Sequence, residues 1–248
     1  MTKKDYFSGH SKTYAAFRPS YPENLYDFIF SHLKYRNNAW DCATGNGQAA
    51  QHLAKHFEKV YATDISQQQL DEAVRLPNVE YSVSPAEKTI FPDHHFDLIT
   101  VGQALHWFDR EKFFTEVSRT GKPGSLLAVW GYSLLYIESP IDEIILNFYS
   151  QTVGPYWDHA RRLVEQEYKT IDFPFDEIAS PKFSIDLVWT LDHLRGYLES
   201  WSATQKFMKE NNHNPVPEVI SRLGKYWNST EEKQVSFPVF LRLGKLAG

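Results

Sequence analysis

The chain has 248 residues, 42% of them hydrophobic and 23% charged, with a formal net charge of -5. That length and composition fit one α/β domain with additions, or two small domains, and the negative balance gives a polyanion such as nucleic acid no bulk attraction. The single cysteine, Cys42, rules out an internal disulfide, and no apolar run reaches the length of a membrane span or of a secretory leader, so a cytoplasmic protein is expected.

Residues 21–36 read as a helix. Pro22 suits a first turn, and Leu25, Phe28, Ile29 and Leu33 recur on one face. A polar turn, Arg36 to Asn38, leads into a strand through Trp40. Ala49, Leu53 and Phe57 then recur every four residues, which predicts a helix with one buried face. "KVYATDIS" is the next strand, ending at Asp64. Ser66 and Gln69 have capping-box spacing, and Ile65 and Leu70 could staple the start of that helix. Leu76–Pro77 is its expected stop. Val79, Tyr81 and Val83 alternate as a third strand. "FDLITVGQAL" is a fourth, apolar on both faces as a buried parallel strand must be. Asp109 is a cap for a helix carrying Phe113, Phe114 and Val117, and "GKPG" turns into a fifth strand, "SLLAVWGYS". The alternation over 39–133 predicts a parallel sheet with helices on both faces.

Beyond Ser139 the pattern weakens. Residues 141–150 and 157–170 read as helices, "KFSIDLVWT" as a strand and "LDHLRGYLESWS" as a helix. "NNHNPVP" reads as a loop, "EVISRLGKYW" as a helix and "QVSFPVFLRLGKL" as the last strand. Pro238 within that strand suggests an edge or a bulge. This half is expected to complete the sheet and add a helical cap.

The loop "WDCATGNGQAA", after the first strand, lies where open α/β sheets bind ligands. Gly45 and Gly47 remove side chains where a ligand approaches the backbone, and the following helix start suits an anionic group. Two ligands compete. "GNGQAA", with Asp64 in the place of a ribose acid, matches a short dinucleotide pattern. S-adenosylmethionine also needs a ribose acid, but carries an ammonium in place of a pyrophosphate. Asp41, immediately before the loop, suits an ammonium and therefore favours S-adenosylmethionine.

"WDCATGNGQAA", "YATDIS", "SPAEKTIFPDHHFDLITVGQALHWFD" and "GKPGSLLAVWG" together resemble the class I S-adenosylmethionine-dependent methyltransferases. "YAAFRPSYPENLYDFI" and "WTLDHLRGYLESWSA" look like the small-molecule branch similar to trans-aconitate methyltransferase. The resemblance implies a Rossmann-like α/β fold with a seven-stranded, mostly parallel sheet whose last strand is antiparallel. It divides one domain, 1–248, into an N-terminal lid (1–38), a cofactor-binding core (39–133), acceptor-side helical additions (134–234) and the last strand (235–248). Asp41, Gly45 and Gly47 match the first motif, with Ala43 in place of the family's first glycine. Asp64 matches the ribose acid, Ile65 the apolar neighbour that packs on adenine, Ala86 and Glu87 the adenine edge, and Gln103 and Ala104 the methionine side. The resemblance implies methyl transfer from S-adenosylmethionine to a small-molecule acceptor, with a carboxylate as one candidate and S-adenosylhomocysteine as product. A non-catalytic cofactor-binding protein and an NAD-dependent oxidoreductase are the alternatives.

His106 and Trp107 fall at the mouth of the implied pocket. His106 is the candidate base for an acceptor that needs one; a carboxylate needs none. Tyr14, Arg18 and Tyr21 are candidates for the acceptor side, Arg18 as a fork for a carboxylate. His52 and His56 have metal-like spacing, but Leu53 stands where a glutamate would be required, so no metal site is expected. Oligomeric state is not encoded in any motif of the chain.

Overall fold

The computed structural model describes residues 19–247. Tyr14 and Arg18 lie outside the described residues. The central sheet follows the order β3-β2-β1-β4-β5-β8-β6, with β7 also paired to β8. Its strands are β1 (Asn38–Cys42), β2 (Lys59–Asp64), β3 (Val79–Val83), β4 (Phe96–Gly102), β5 (Gly121–Tyr132), β6 (Asp176–Ile178), β7 (Phe183–Thr190) and β8 (Glu232–Lys245). β1 to β5 pair in parallel, and β8 runs antiparallel to β5. The expected seven positions and the reversed last strand are present. The seventh position is shared, because β7 covers Glu232–Val239 of β8 and the short β6 covers Leu243–Lys245 on the same edge.

Pro238 therefore lies on neither an edge strand nor a bulge. Its carbonyl accepts from Ser133 N at 2.9 Å, so its nitrogen faces β5 just past that ladder's last pair, Tyr132–Val239. A missing N–H at the end of a ladder leaves no interior acceptor unpaired.

The helices are α1 (Glu23–Ser31), α2 (Gln48–Leu53), α3 (Gln67–Asp71), α4 (Arg110–Thr120), α5 (Ser139–Asn147), α6 (Arg161–Glu165), α7 (Leu191–Glu199), α8 (Ser202–Asn211) and α9 (Val216–Leu223). Two apolar layers cover the sheet. One joins Leu25, Ile29, Leu53, Leu98, Trp130 and Tyr132 to the helices of the second half, and the other joins Trp40, Ile99, Val101, Phe113 and Val129 to Tyr168. α1, the described part of the expected lid, is fixed in the first layer, since Leu25 and Ile29 are fully buried.

Several boundaries differ from the sequence reading. Pro22 is the N-cap of α1, and the helix stops at Ser31. Ser66 caps α3 as expected, accepting from Gln69 N, but the Ile65–Leu70 staple does not form: Leu70 is buried while Ile65 is 46% exposed. α3 already ends at Asp71, before Pro77. "GKPG" is the bulged start of β5, where the register on β4 shifts between Phe96 and Leu98. The 157–170 helix shrinks to α6, and the additions at 134–234 hold two strands as well as helices.

Candidate active site

The strand order reverses between β1 and β4, so their carboxyl ends open a crevice. Three strand ends meet there: Cys42–Ala43, Asp64–Ile65 and Gly102–Gln103.

The loop after β1 is built on left-handed residues. Ala43 has φ +54°, Gly45 φ +58° and Gly47 φ +81°. Ala43 therefore takes a conformation that glycine adopts freely and alanine only with strain. At Gly47, a Cβ would meet the Tyr81 hydroxyl at 2.6 Å. At Gly45, the nearest described atom to a Cβ would be Gln69 Oε1, at 3.8 Å, so the loop is open on that side.

Asp64 ties the loop to β2. One of its carboxylate oxygens accepts from Gly45 N and the other from Ser66 N, both at 2.9 Å. The carboxylate is half-buried, and its exposed neighbour Ile65 offers an apolar surface beside it.

Asp41 is 1% exposed. Its oxygens accept from the Thr44 hydroxyl and, at 2.8 Å, from the Thr100 hydroxyl, which joins the glycine loop to β4. Burial raises its carboxyl to about 6, against the lowering effect of these hydrogen bonds. It sits behind the loop as a buried anion rather than on its open face.

After β4, Gln103 has φ +55°. Its backbone N–H donates to Trp130 O at 2.8 Å, and its side-chain amide both accepts from Tyr132 N at 2.9 Å and donates to Tyr132 O at 3.3 Å. Gly131 makes room for this clamp, since a Cβ there would lie 2.3 Å from Gln103 Oε1. Ala104 and Ala86 are buried nearby, and Glu87 Oε1 accepts from Asp109 N at 2.9 Å. Tyr21 meets Trp130 edge-on at 5.5 Å, and among the described residues the buried Trp130 Nε1 has no hydrogen-bond partner.

His106 and Trp107 form a short 3-10 turn, Leu105–Trp107, and their rings lie 4.6 Å apart. His106 is 7% exposed, and its Nδ1 lies 2.8 Å from the Tyr168 hydroxyl. Burial first, then the Arg161 charge, pushes its imidazole down to about 3. Burial thus favours the neutral, hydrogen-bonding form of the His106 ring. His52 stacks on Tyr26 at 3.8 Å.

Residues 40–129 match the methyltransferase domain family. A methyltransferase of Dictyostelium discoideum is 36% identical over 97% of this chain and 95% of its own length. The chain belongs to the class I S-adenosylmethionine-dependent methyltransferases. A type II methyltransferase structure from Anaeromyxobacter dehalogenans superposes with a TM-score of 0.87 at 34% identity, covering 94% of this chain and all of that one. An S-adenosylmethionine-dependent methyltransferase of Saccharomyces cerevisiae is 23% identical over 86% of this chain and 84% of its own.

The cofactor of this methyltransferase is S-adenosylmethionine, and the strand-end geometry fits it. An open glycine loop, an acid and an exposed apolar residue stand in the order that a nucleoside with an amino-acid tail requires. Sequence reasoning missed Tyr168 and Arg161. Both lie in the weakly patterned second half, and only the packing of α6 against the 3-10 turn brings them to His106.

Proposed function

We propose that this methyltransferase acts on a small carboxylic acid, in keeping with its likeness to the branch of trans-aconitate methyltransferase. The observation that carries this reading is the state of His106. Buried and bonded to Tyr168, with its imidazole pushed down to about 3, it is a poor acceptor for the proton of a hydroxyl or phenol at neutral pH. An acceptor that arrives already deprotonated suits such a site, and carboxylates are the common group of that kind.

In this reading residues 39–133 hold the cofactor, and residues 134–234 supply much of the acceptor side. Asp64 receives the ribose hydroxyls and Ile65 faces the adenine, whose edge meets Ala86 and Glu87. Ala43, Gly45 and Gly47 bring the backbone close to the amino-acid tail, and the buried charge of Asp41 favours its ammonium through the loop. Gln103 and Ala104 flank the methionine part. The cofactor supplies a methyl group on a cationic sulfur. The chain's own work is to align the acceptor with that methyl and keep water out. Tyr21 and Trp107 give aromatic walls on the acceptor side, and Trp130 Nε1, next to Tyr21, is a donor that no described residue uses.

The test is transfer of labelled methyl from S-adenosylmethionine to a panel of small acids, followed by mild alkali. A carboxyl methyl ester releases its label as methanol. An alkali-stable product, or turnover only with amines and phenols, would contradict this reading.

A further inference from the structure

Arg161 opens α6, beside the 3-10 turn that carries His106. Its Nε donates to the Tyr149 hydroxyl at 3.2 Å, and its guanidinium lies 5.0 Å from the Trp157 ring centre and 5.9 Å from that of Tyr149. The Tyr149 hydroxyl donates onward to Glu165. Among the described residues no carboxylate pairs with Arg161, although Glu165 lies one turn away. One Asp158 carboxylate oxygen accepts from the backbone N–H of Ala160 at 3.0 Å. No described residue claims the two outer nitrogens of this half-buried, ring-stacked guanidinium, and they form a planar fork matched to a carboxylate.

His106 adds a second donor. The Tyr168 hydroxyl lies 2.8 Å from His106 Nδ1 and can donate its proton there. A neutral imidazole that accepts at Nδ1 carries its proton on Nε2. No described group takes that Nε2 proton. α6 packs on the 3-10 turn that follows β4, so the Arg161 fork and the His106 ring lie on adjacent elements beyond the carboxyl end of that strand.

We propose that Arg161 and His106 Nε2–H form a subsite for a carboxylate of the acceptor that is not itself methylated. This rests on the reading of the acceptor as a small acid. An oxygen held by a guanidinium is a weaker nucleophile, so the group bound here orients the molecule while another group meets the methyl. The acceptor class is then a small acid with a second nucleophile, most simply a second carboxylate. Asp158, whose charge also reaches His106, would disfavour extra negative charge on the same arm of the ligand.

The experiment is a calorimetric titration of the protein saturated with S-adenosylhomocysteine. The probes are succinate, glutarate and phenylacetate, each set against its amide. At least one acid should bind at least tenfold more tightly than its amide. Arg161→Gln should abolish that preference and Arg161→Lys should keep part of it, with S-adenosylhomocysteine affinity within twofold of the parent. In the parent protein, the His106 Nε2 nitrogen resonance should move on adding the acid and stay still with the amide. Acids binding no better than amides, a preference surviving Arg161→Gln, or an unmoved His106 resonance would each overturn the subsite. That resonance decides the matter even if Arg161→Gln fails to fold. Failure of the parent to bind S-adenosylhomocysteine would overturn the cofactor placement and the subsite built on it, a result distinguishable from loss of the acid preference alone.

Discussion

The most informative single perturbation is Asp41→Asn. Asp41 is buried among hydroxyl donors, and its carboxyl rises from 3.8 in the unfolded chain to about 6 in the folded protein. At about 1.4 kcal/mol per pH unit, that rise makes ionising Asp41 in the fold about 3 kcal/mol harder than in the unfolded chain. The sign follows from which state holds the proton. Between pH 3.8 and 6 the folded state binds it and the unfolded state does not. The stability contributed by this group is therefore fully present below pH 3.8, is lost as pH rises through 6, and stays lost above. Asparagine has the same shape, and the Thr44 and Thr100 hydroxyls can turn to suit it. At pH 4 the two proteins should be equally stable. At pH 7 the variant should be more stable by up to about 3 kcal/mol, or about 6–12 °C in Tm for a chain of this size. Urea unfolding of both proteins from pH 4 to 8 measures the difference, and groups shared by the two cancel. S-adenosylhomocysteine should bind the variant more weakly, because its ammonium loses the buried anion. Parent affinity should also fall below pH 6, as Asp41 takes up its proton. A variant of equal or lower stability at pH 7, or a difference curve without a step between pH 4 and 6, would refute the reasoning.

Asp64→Ala removes the carboxylate facing the expected ribose and also the anchor of Gly45 N and Ser66 N; S-adenosylhomocysteine affinity should fall by about 1.5–3 kcal/mol per charged hydrogen bond lost, and unchanged affinity in calorimetry on folded protein would remove Asp64 from the site. Ala43→Gly should raise stability or leave it unchanged. Relief of a left-handed alanine, about 1–2 kcal/mol, is opposed by the greater entropy of glycine in the unfolded chain, about 0.4–1 kcal/mol. A fall in Tm of several degrees, or a tenfold loss of cofactor affinity, would contradict the placement of this loop.

The first half of the fold was legible because each element had one cause. "FDLITV" is apolar on both faces because β4 is covered on both, and Ser66 and Asp109 cap helices by their own side chains. The second half has mixed causes. α8 escaped the sequence reading because its buried residues, Ala203 and Thr204, are small and adjacent rather than a periodic apolar stripe. The division of one β8 edge between β6 and β7 depends on two loops whose lengths carry no pairing signal. Arg161 and Arg162 read alike in sequence, and only the rings of Tyr149 and Trp157 separate the first from an ordinary surface arginine.

Backbone strain was also invisible in the sequence, and its location bears on function. Ala43, Gln103 and Tyr168 are three of the six described non-glycine residues with left-handed φ, and they lie in the loop after β1, at the end of β4 and against His106. Each is held by a neighbour that the strain alone would not require. Thr44 N donates to Thr63 O at 2.9 Å beside Ala43, the Gln103 amide is doubly bonded to Tyr132, and Arg242 Nη1 donates to Tyr168 O at 2.9 Å. A left-handed residue persists only where surrounding bonds outweigh about 1–3 kcal/mol of strain. At Gln103 the turn leads the chain from β4 into the 3-10 helix, and at Tyr168 it brings the hydroxyl to His106. These three strained positions set the direction of the loop, the strand end and the Tyr168 hydroxyl against His106. Relaxing any one of them would move a group that faces the ligand, whereas the strain itself lies in backbone that the ligand need not touch.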